Sequence, residues 1–375
     1  MPKKIIYLDV AATTQVYPSV VNEMSKILKE NYGNPSSLHA LGENASTIMN
    51  GAREKIAKEI ACKPSEIIFT SGATESNNIA IQGAAKASKR KKILISSIEH
   101  PSVSEVCNSL KTWGYEIVKI PVNNVGLADL KFIEKNIDKN TLLISVMHVN
   151  NEIGTKQDIA SIGKICKEKG VLFHTDAVQS FGKLNIDVNK MNIDLLSASA
   201  HKIGGSKGIG FLYVRSGVHL IPLFYGGGQE GGIRSGTENV HAIAGFAKAI
   251  EIQKRVNKTK IKKLRDRLMD GLIKIGGKVN GDIREKRIYN NLNVSFPNVN
   301  GEQLVIYLSQ KRIMCSTGSA CSSKKQAESA TLKAIGLTKK EIEGSIRFTL
   351  DERITHKDID YVLKEVRNAV NKLYI

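Results

Sequence analysis

Ser197-Ala198-Ser199-Ala200-His201-Lys202-Ile203-Gly204-Gly205 is the stretch on which the reading of this chain turns. It follows a short strand-like run, Asp194 to Ser197, and opens into glycines. One lysine in a basic protein is usually a solvated surface group. Lys202, however, stands at a strand end, beside two hydroxyls and a histidine, before glycines that allow close approach. That is a setting for a lysine that forms a Schiff base. Outward from it, further β-branched runs read as strands: Ile67 to Thr70, Lys92 to Ser96, Glu116 to Ile120, Thr141 to Val149, Val171 to Thr175 and Gly210 to Val214. Helix-like stretches such as Ser76 to Ala87 and Ile159 to Lys169 lie between them. The alternation predicts an α/β fold with a mostly parallel sheet. Ligands in such sheets sit beyond the carboxyl ends of the strands, so polar residues just after strands are the place to look.

Two more strand ends carry such residues. Thr70-Ser71-Gly72-Ala73-Thr74-Glu75-Ser76-Asn77 leaves a strand and opens a helix. Gly72 permits a tight turn, and the amides of a helix N-terminus can cradle a phosphate. A plain capped helix accounts for the stretch equally well when it is taken alone. His174-Thr175-Asp176-Ala177-Val178-Gln179 ends the run from Val171, and Asp176 taken alone reads more simply as a helix cap. The three stretches together mean more. A pyridoxal phosphate enzyme needs a lysine, a carboxylate for the pyridinium nitrogen, a phosphate cradle and a group over the ring. Lys202, Asp176 and the turn from Gly72 to Thr74 supply three of these, and His100 is a candidate for the fourth.

The chain has 375 residues, 41% hydrophobic and 24% charged, which is globular composition. From Ala242 to Asp270 the pattern is helical and leads out of the first domain. Strands at Asn291 to Phe296 and Ser345 to Leu350, with helices near Gly301 to Lys311 and Lys357 to Leu373, read as a smaller α+β domain. No apolar run nears the roughly 18 residues of a membrane helix. The N-terminal stretch Ile5 to Leu8 stops at Asp9, too short for a signal peptide, so a cytoplasmic protein is expected. The charge is +19. That invites a nucleic-acid reading, but the basic residues are scattered and aromatics are 5% with one Trp, so direct nucleic-acid binding is not expected. Anionic substrates or an acidic protein partner fit the charge. Five cysteines, an odd number without a CxxC, argue against disulfides and zinc and for a reducing compartment.

Gly226, Gly228 and Gly231 satisfy the dinucleotide spacing GxGxxG, but they open no βαβ unit, and the match is set aside. Ser316-Thr317-Gly318-Ser319-Ala320-Cys321-Ser322-Ser323 is small, polar and loop-like. Free cysteine prefers burial, so Cys321 in such a loop is either an incidental exposed thiol or a nucleophile that travels between sites. Cys315, after Ile313 and Met314, reads as a buried neighbour.

With these motifs in hand, the chain resembles the cysteine desulfurases of the iron–sulfur-cluster-assembly and nitrogen-fixation types. They belong to the class V aminotransferase family of fold-type I pyridoxal phosphate enzymes. The resemblance runs from Tyr7-Leu8-Asp9 to about Val366. It includes Gly33-Asn34-Pro35-Ser36-Ser37 with His39, the Ser71 to Asn78 stretch, Glu99-His100-Pro101, Asn150-Asn151-Glu152, His174 to Gln179, Ser199 to Lys202, Arg234 to Asn239 and Ser319-Ala320-Cys321. It implies a large domain, residues 15–257, with a mostly parallel seven-stranded sheet between helices. Residues 1–14 and 258–375 form the small domain, which carries the cysteine loop at about 315–328.

The resemblance also implies roles. Lys202 matches the cofactor lysine, Asp176 the partner of the pyridine nitrogen, Gln179 the donor to the ring hydroxyl and His100 the stacking histidine. Ala73, Thr74, Ser199 and His201 match phosphate ligands. Thr237 matches the phosphate ligand supplied by the second subunit, hence a homodimer. Asn151 and Arg347 match the groups that hold the carboxylate of L-cysteine. Cys321 matches the sulfur acceptor, which takes sulfur as a persulfide while L-alanine leaves. No intrinsic metal site is implied, and Cys321 is a candidate transient iron–sulfur ligand. The Ser-rich loop resembles that of desulfurases which hand sulfur directly to an iron–sulfur scaffold or a carrier. The chain departs from the pattern in lacking a proline shortly after Cys321 and the longer C-terminal tail by which relatives dock a scaffold. That leaves tRNA or cofactor thiolation open as the destination of the sulfur.

Overall fold

The computed structural model describes residues 4–318 and 328–373. Its strands, in chain order, are β1 (Ile6–Tyr7), β2 (Ile67–Thr70), β3 (Lys92–Ser96), β4 (Glu116–Ile120), β5 (Thr141–Ser145) and β6 (Leu172–Asp176), then β7 (Leu195–Ser199), β8 (Gly210–Val214), β9 (Lys278–Asn280), β10 (Asn291–Ser295), β11 (Ile313–Met314) and β12 (Ser345–Thr349). β2 to β8 form one seven-stranded sheet in the order β2-β8-β7-β6-β5-β3-β4. β8 runs antiparallel to both neighbours, and the other pairings are parallel. β3, β5 and β7 are buried along their whole length, because helices cover both faces. That is why these strands read as continuous apolar runs and not as alternating ones.

Two core clusters lie against the sheet, one containing Ile144, Phe173, Leu196 and Phe211, the other Ile79, Ile93, Leu143 and Leu212. Neighbours along a strand, such as Leu143 and Ile144, fall in different clusters because successive side chains point to opposite faces. A third cluster joins Ile6 and Leu8 to Leu264, Val294, Phe348 and Val366. It packs on the three-stranded antiparallel sheet β12-β10-β9, while β1 pairs in parallel with β11. The chain's first strand is thus built into the structure made by its last third.

Three sequence expectations change. The strand expected from Thr141 to Val149 ends at Ser145. Beyond it, Val149 bridges to Lys156, and Asn150 Oδ1 accepts from the amides of Glu152 and Ile153, so the chain turns back on itself. The helical pattern from Ala242 to Asp270 is two helices, Val240–Gln253 and Lys258–Lys274. Asn257 starts the second by accepting from the amide of Lys260 at 2.9 Å. The small sheet has a third strand, β9, that its short polar sequence concealed. Among the described residues no helix is long and apolar enough to cross a membrane.

Candidate active site

The carboxyl ends of β6 and β7 and the start of the helix Ala73–Lys86 converge on a cavity of about 420 Å³. Ala73, Thr74, His100, Asn151, Asp176, Gln179, Ser199, His201, Lys202 and Arg347 all line it. Residues 274 positions apart in the chain therefore share one chamber. Thr237 does not line it and is exposed. Cys321 lies outside the described residues.

At one end, the helix Ala73–Lys86 begins at Gly72 with no side chain capping it. Gly72 has φ of 155°, a conformation that favours glycine. The uncapped amides thus face the cavity next to Ser199 and His201, as a dianionic phosphate requires. His201 Nδ1 lies 3.1 Å from Thr13 Oγ1. Burial, with help from Lys202, Lys207 and Lys183, pushes the His201 imidazole down to about 4, so it is neutral near pH 7.

The middle of the cavity suits a pyridine ring. Asp176 Oδ2 accepts from Asn77 Nδ2 at 3.0 Å and Oδ1 from the amide of Val178 at 2.9 Å. These bonds fix the carboxylate's orientation. His100 caps the helix Pro101–Leu110, its Nδ1 accepting from the amide of Ser102 at 3.1 Å. A backbone N–H on Nδ1 leaves the ring proton on Nε2. Burial lowers the His100 pKa and outweighs the opposing pull of Asp176, with Lys202 adding to the lowering. Opposite, Lys202 Nζ donates to the carbonyls of Ala11 and Ala12 at 2.6 and 2.8 Å. Gln179 Nε2 donates to Ala11 O at 2.9 Å. An amine, a carboxylate, an imidazole and an anion cradle in one chamber fit pyridoxal phosphate.

Arg347 gives the cavity lining a buried cation, a group whose chemistry suits a carboxylate. Arg347 is 1% exposed, and its Nη2 donates to Asp9 Oδ1 at 2.7 Å and its Nη1 to Asn151 O at 3.1 Å. These two bonds orient a planar fork that has further N–H groups to offer.

Several residues that build the site carried no assigned role in the sequence. Asp9 holds Arg347, and Asn77 and Ser102 hold Asp176 and His100. Glu75 accepts from the amide of Ser71 at 2.6 Å and from Arg234 Nε at 2.8 Å. Burial raises the Glu75 pKa, but these donors win and hold it below the usual carboxylate value. Glu152 Oε2 pairs with Ser329 Oγ at 2.5 Å. The motifs contain Asp9, Asn77, Glu75 and Glu152, but their partners are remote in sequence, and only folding reveals them. Cys62, Cys107, Cys166 and Cys315 are free, and burial raises each thiol, Cys62 and Cys107 to about 12. None of these four is a ready nucleophile.

The class-V aminotransferase family model matches residues 6–362. The chain is 45% identical over 378 residues to cysteine desulfurase IscS of Dictyoglomus turgidum, covering 99% of this chain and 96% of that protein. It is 44% identical over 381 residues to a probable mitochondrial cysteine desulfurase of Dictyostelium discoideum, covering 99% and 84%. Among solved structures, a NifS-like protein superposes with a TM-score of 0.93 at 38% identity, covering 99% of this chain and all of that one. A match of this extent, on a cavity with this donor set, means that the chain belongs to the class-V aminotransferase family.

Proposed function

We propose that this protein is a pyridoxal-phosphate-dependent cysteine desulfurase. It converts L-cysteine to L-alanine and transfers the sulfur to Cys321 as a persulfide. The observation that carries the reading is the single cavity holding Lys202, Asp176, His100 and Arg347 above an uncapped helix start. The curated relatives named cysteine desulfurase support the choice of substrate, as does a solved relative, SspA in complex with cysteine, 37% identical with a TM-score of 0.83.

Pyridoxal phosphate, when bound, supplies an electron sink that acidifies the α-hydrogen of the amino acid it holds. Ala73, Thr74, Ser199 and His201 take the phosphate, and Asp176 pairs with the ring nitrogen. Gln179 donates to the ring hydroxyl, and His100 covers the ring. Arg347 and Asn151 hold the substrate carboxylate, which fixes the thiol end relative to the incoming nucleophile. Lys202 is the amine that would anchor the cofactor, and once substrate is held it would move the α-proton. His100, neutral with its proton on Nε2, is placed to donate. The Cys321 thiolate attacks the substrate sulfur. The new bond is sulfur–sulfur, the carbon–sulfur bond breaks, and its electron pair stays on carbon. That carbon takes a proton and becomes the alanine methyl group. Cys321 keeps the sulfur as a persulfide, so no external oxidant or reductant enters.

We also infer a homodimer in which Thr237 serves the neighbouring site. Its exposure, outside its own chain's cavity, agrees with that role. Residues 1–14 and 258–375 act as the small domain, and 15–257 as the large one. Free cysteines fit a cytoplasmic location. The sulfur passes to an iron–sulfur scaffold or to a carrier or thiolation enzyme.

The test is alanine release from L-cysteine by the cofactor-loaded protein. Wild type is expected to release it, and Cys321→Ala and Lys202→Ala are expected to lose at least a hundredfold. Equal release by Cys321→Ala would overturn the persulfide step and point to a lyase.

A further inference from the structure

The carboxylate of Asp176 and the imidazole of His100 stand on different elements, yet two side chains join them. Asn77 lies on the helix Ala73–Lys86 and is 0% exposed. Ser102 is the second residue of the helix Pro101–Leu110 and lines the cavity. Asn77 Nδ2 donates to Asp176 Oδ2 at 3.0 Å and to Ser102 Oγ at 2.8 Å. Ser102 Oγ lies 2.8 Å from His100 Nδ1, which also accepts from the Ser102 amide at 3.1 Å. A continuous path of hydrogen bonds therefore runs from Asp176 through Asn77 and Ser102 to His100.

The direction of each bond follows from one charge. A carboxylate only accepts, so Asp176 requires the nitrogen end of the Asn77 amide. Turned the other way, the amide oxygen would face the carboxylate. The second hydrogen on that nitrogen goes to Ser102 Oγ. The hydroxyl accepts from Asn77 and so keeps its own hydrogen for His100 Nδ1. Nδ1 then accepts twice, from the hydroxyl and from the amide of the same serine. The arrangement has a cost, because Asn77 Oδ1 is buried and has no partner among the described residues. A buried carbonyl oxygen without a donor is destabilising, and an apolar side chain would avoid it. Packing alone does not account for an amide at this position.

We propose that Asn77 and Ser102 are positioning residues through which Asp176, besides its place at the ring nitrogen, sets the tautomer of His100: the path closes Nδ1 to a proton and keeps the ring proton on Nε2. This rests on the reading of Asp176 and His100 as groups about the cofactor ring. Other groups also act on His100. Burial lowers its pKa most, Asp176 opposes, and Lys202 adds to the lowering. Glu75, Lys207 and Arg347 complete the charged lining, and Glu99, the preceding residue, is engaged with Ser96 and the Met147 amide. The two donors on Nδ1 act in the same sense as burial, because bonds to the neutral form disfavour the charged one.

The experiment follows the ring nitrogen resonances of His100 against pH in histidine-labelled holoprotein without substrate, the signal being assigned by its loss in His100→Gln. Wild type should show Nδ1 without a proton and a midpoint below that of an ordinary histidine. Ser102→Ala should raise the midpoint by about one pH unit, the scale of one lost hydrogen bond. Asn77→Leu, with Asn77→Ala in reserve should leucine not fold, should raise it by less, since the hydroxyl stays but is no longer aimed. Because the two residues act in series, the double variant should titrate like Ser102→Ala alone. Ser102→Thr keeps the hydroxyl and should stay near wild type. An unmoved midpoint in folded Ser102→Ala overturns the proposal. So does a double variant whose shift is the sum of the single ones, or a wild type with its proton on Nδ1. A wild type that takes up no pyridoxal phosphate overturns the reading of the cavity instead, and the tautomer is still read from the same sample.

Discussion

Single residues in this protein are set by burial more than by their neighbours in sequence. Glu99 shows this most clearly. Its Oε1 accepts from Ser96 Oγ at 2.5 Å and from the Met147 amide at 2.7 Å, while Oε2 has no partner. Burial pushes its carboxyl up to about 8, and the nearby charge of Asp176 adds to the rise. Between the ordinary glutamate pKa of 4.5 and about 8 the folded protein holds a proton that the unfolded chain has released. Stability therefore falls as pH rises through that window and levels off above it. Glu99→Gln, which stays neutral, should flatten the window and stabilise the protein at pH 8 by a few kcal/mol, on the order expected from such a shift. Urea unfolding at pH 5 and pH 8 measures it. Equal pH dependence in the variant and wild type would mean that Glu99 is ionised throughout.

Among elements, the start of the helix Ala73–Lys86 is the one whose surroundings decide its use. An acidic residue in its first turn is ordinary helix chemistry. Here that residue is Glu75, beside the anion cradle, where an unpaired carboxylate would repel phosphate. Arg234, from the loop that also carries Thr237, neutralises it at 2.8 Å, with side-chain exposures of 27% and 9%. Arg234→Ala should weaken retention of pyridoxal phosphate about tenfold, consistent with the loss of a partly buried ion pair. Dialysis followed by cofactor absorbance reads this directly. Arg234→Lys should restore part of it, because a point charge replaces one donor of the fork. The same loop is tied to β2 at a second point. Glu230 pairs with Arg53 at 2.6 Å and accepts from the amide of Phe69 at 2.7 Å. The glycines that mimic a dinucleotide motif belong to this loop, where Gly228 and Gly231 have φ of 78° and 64°, conformations that favour glycine.

For the whole molecule, the expected subunit exchange has a clean signature. If Thr237 serves the neighbouring site, a mixed dimer of Lys202→Ala and Thr237→Ala chains contains one complete site. Mixing the two weak variants under exchange conditions should then recover activity, up to about half the wild-type rate per mixed dimer and about a quarter for an equal mixture in which about half of the dimers are mixed. Activity that stays at the sum of the separate variants would confine Thr237 to its own chain. The exposed Tyr32, Leu38 and Tyr225, 74%, 103% and 77% exposed, are the kind of apolar surface that a dimer covers.

The sequence by itself was enough for the class of fold and for naming the candidate side chains that the cavity brings together. Strand-length apolar runs mark the sheet, because strands buried on both faces need no polar alternation. Lys202, Asp176 and the Gly72 turn stand at strand ends, where a doubly wound sheet places its ligands. The chemistry of pyridoxal phosphate demands that set of groups and few others. Element ends were less legible. The stop of β5 at Ser145 and the break before Asn257 depend on side-chain caps and turns whose partners the apolar pattern does not show. Only the tertiary structure decided what holds each functional group. Asp9 reaches Arg347 across 338 positions, and Asn77 reaches Asp176 across 99. Such pairings leave no periodic trace, because they are made by the packing of distant segments and not by the local geometry of any one of them.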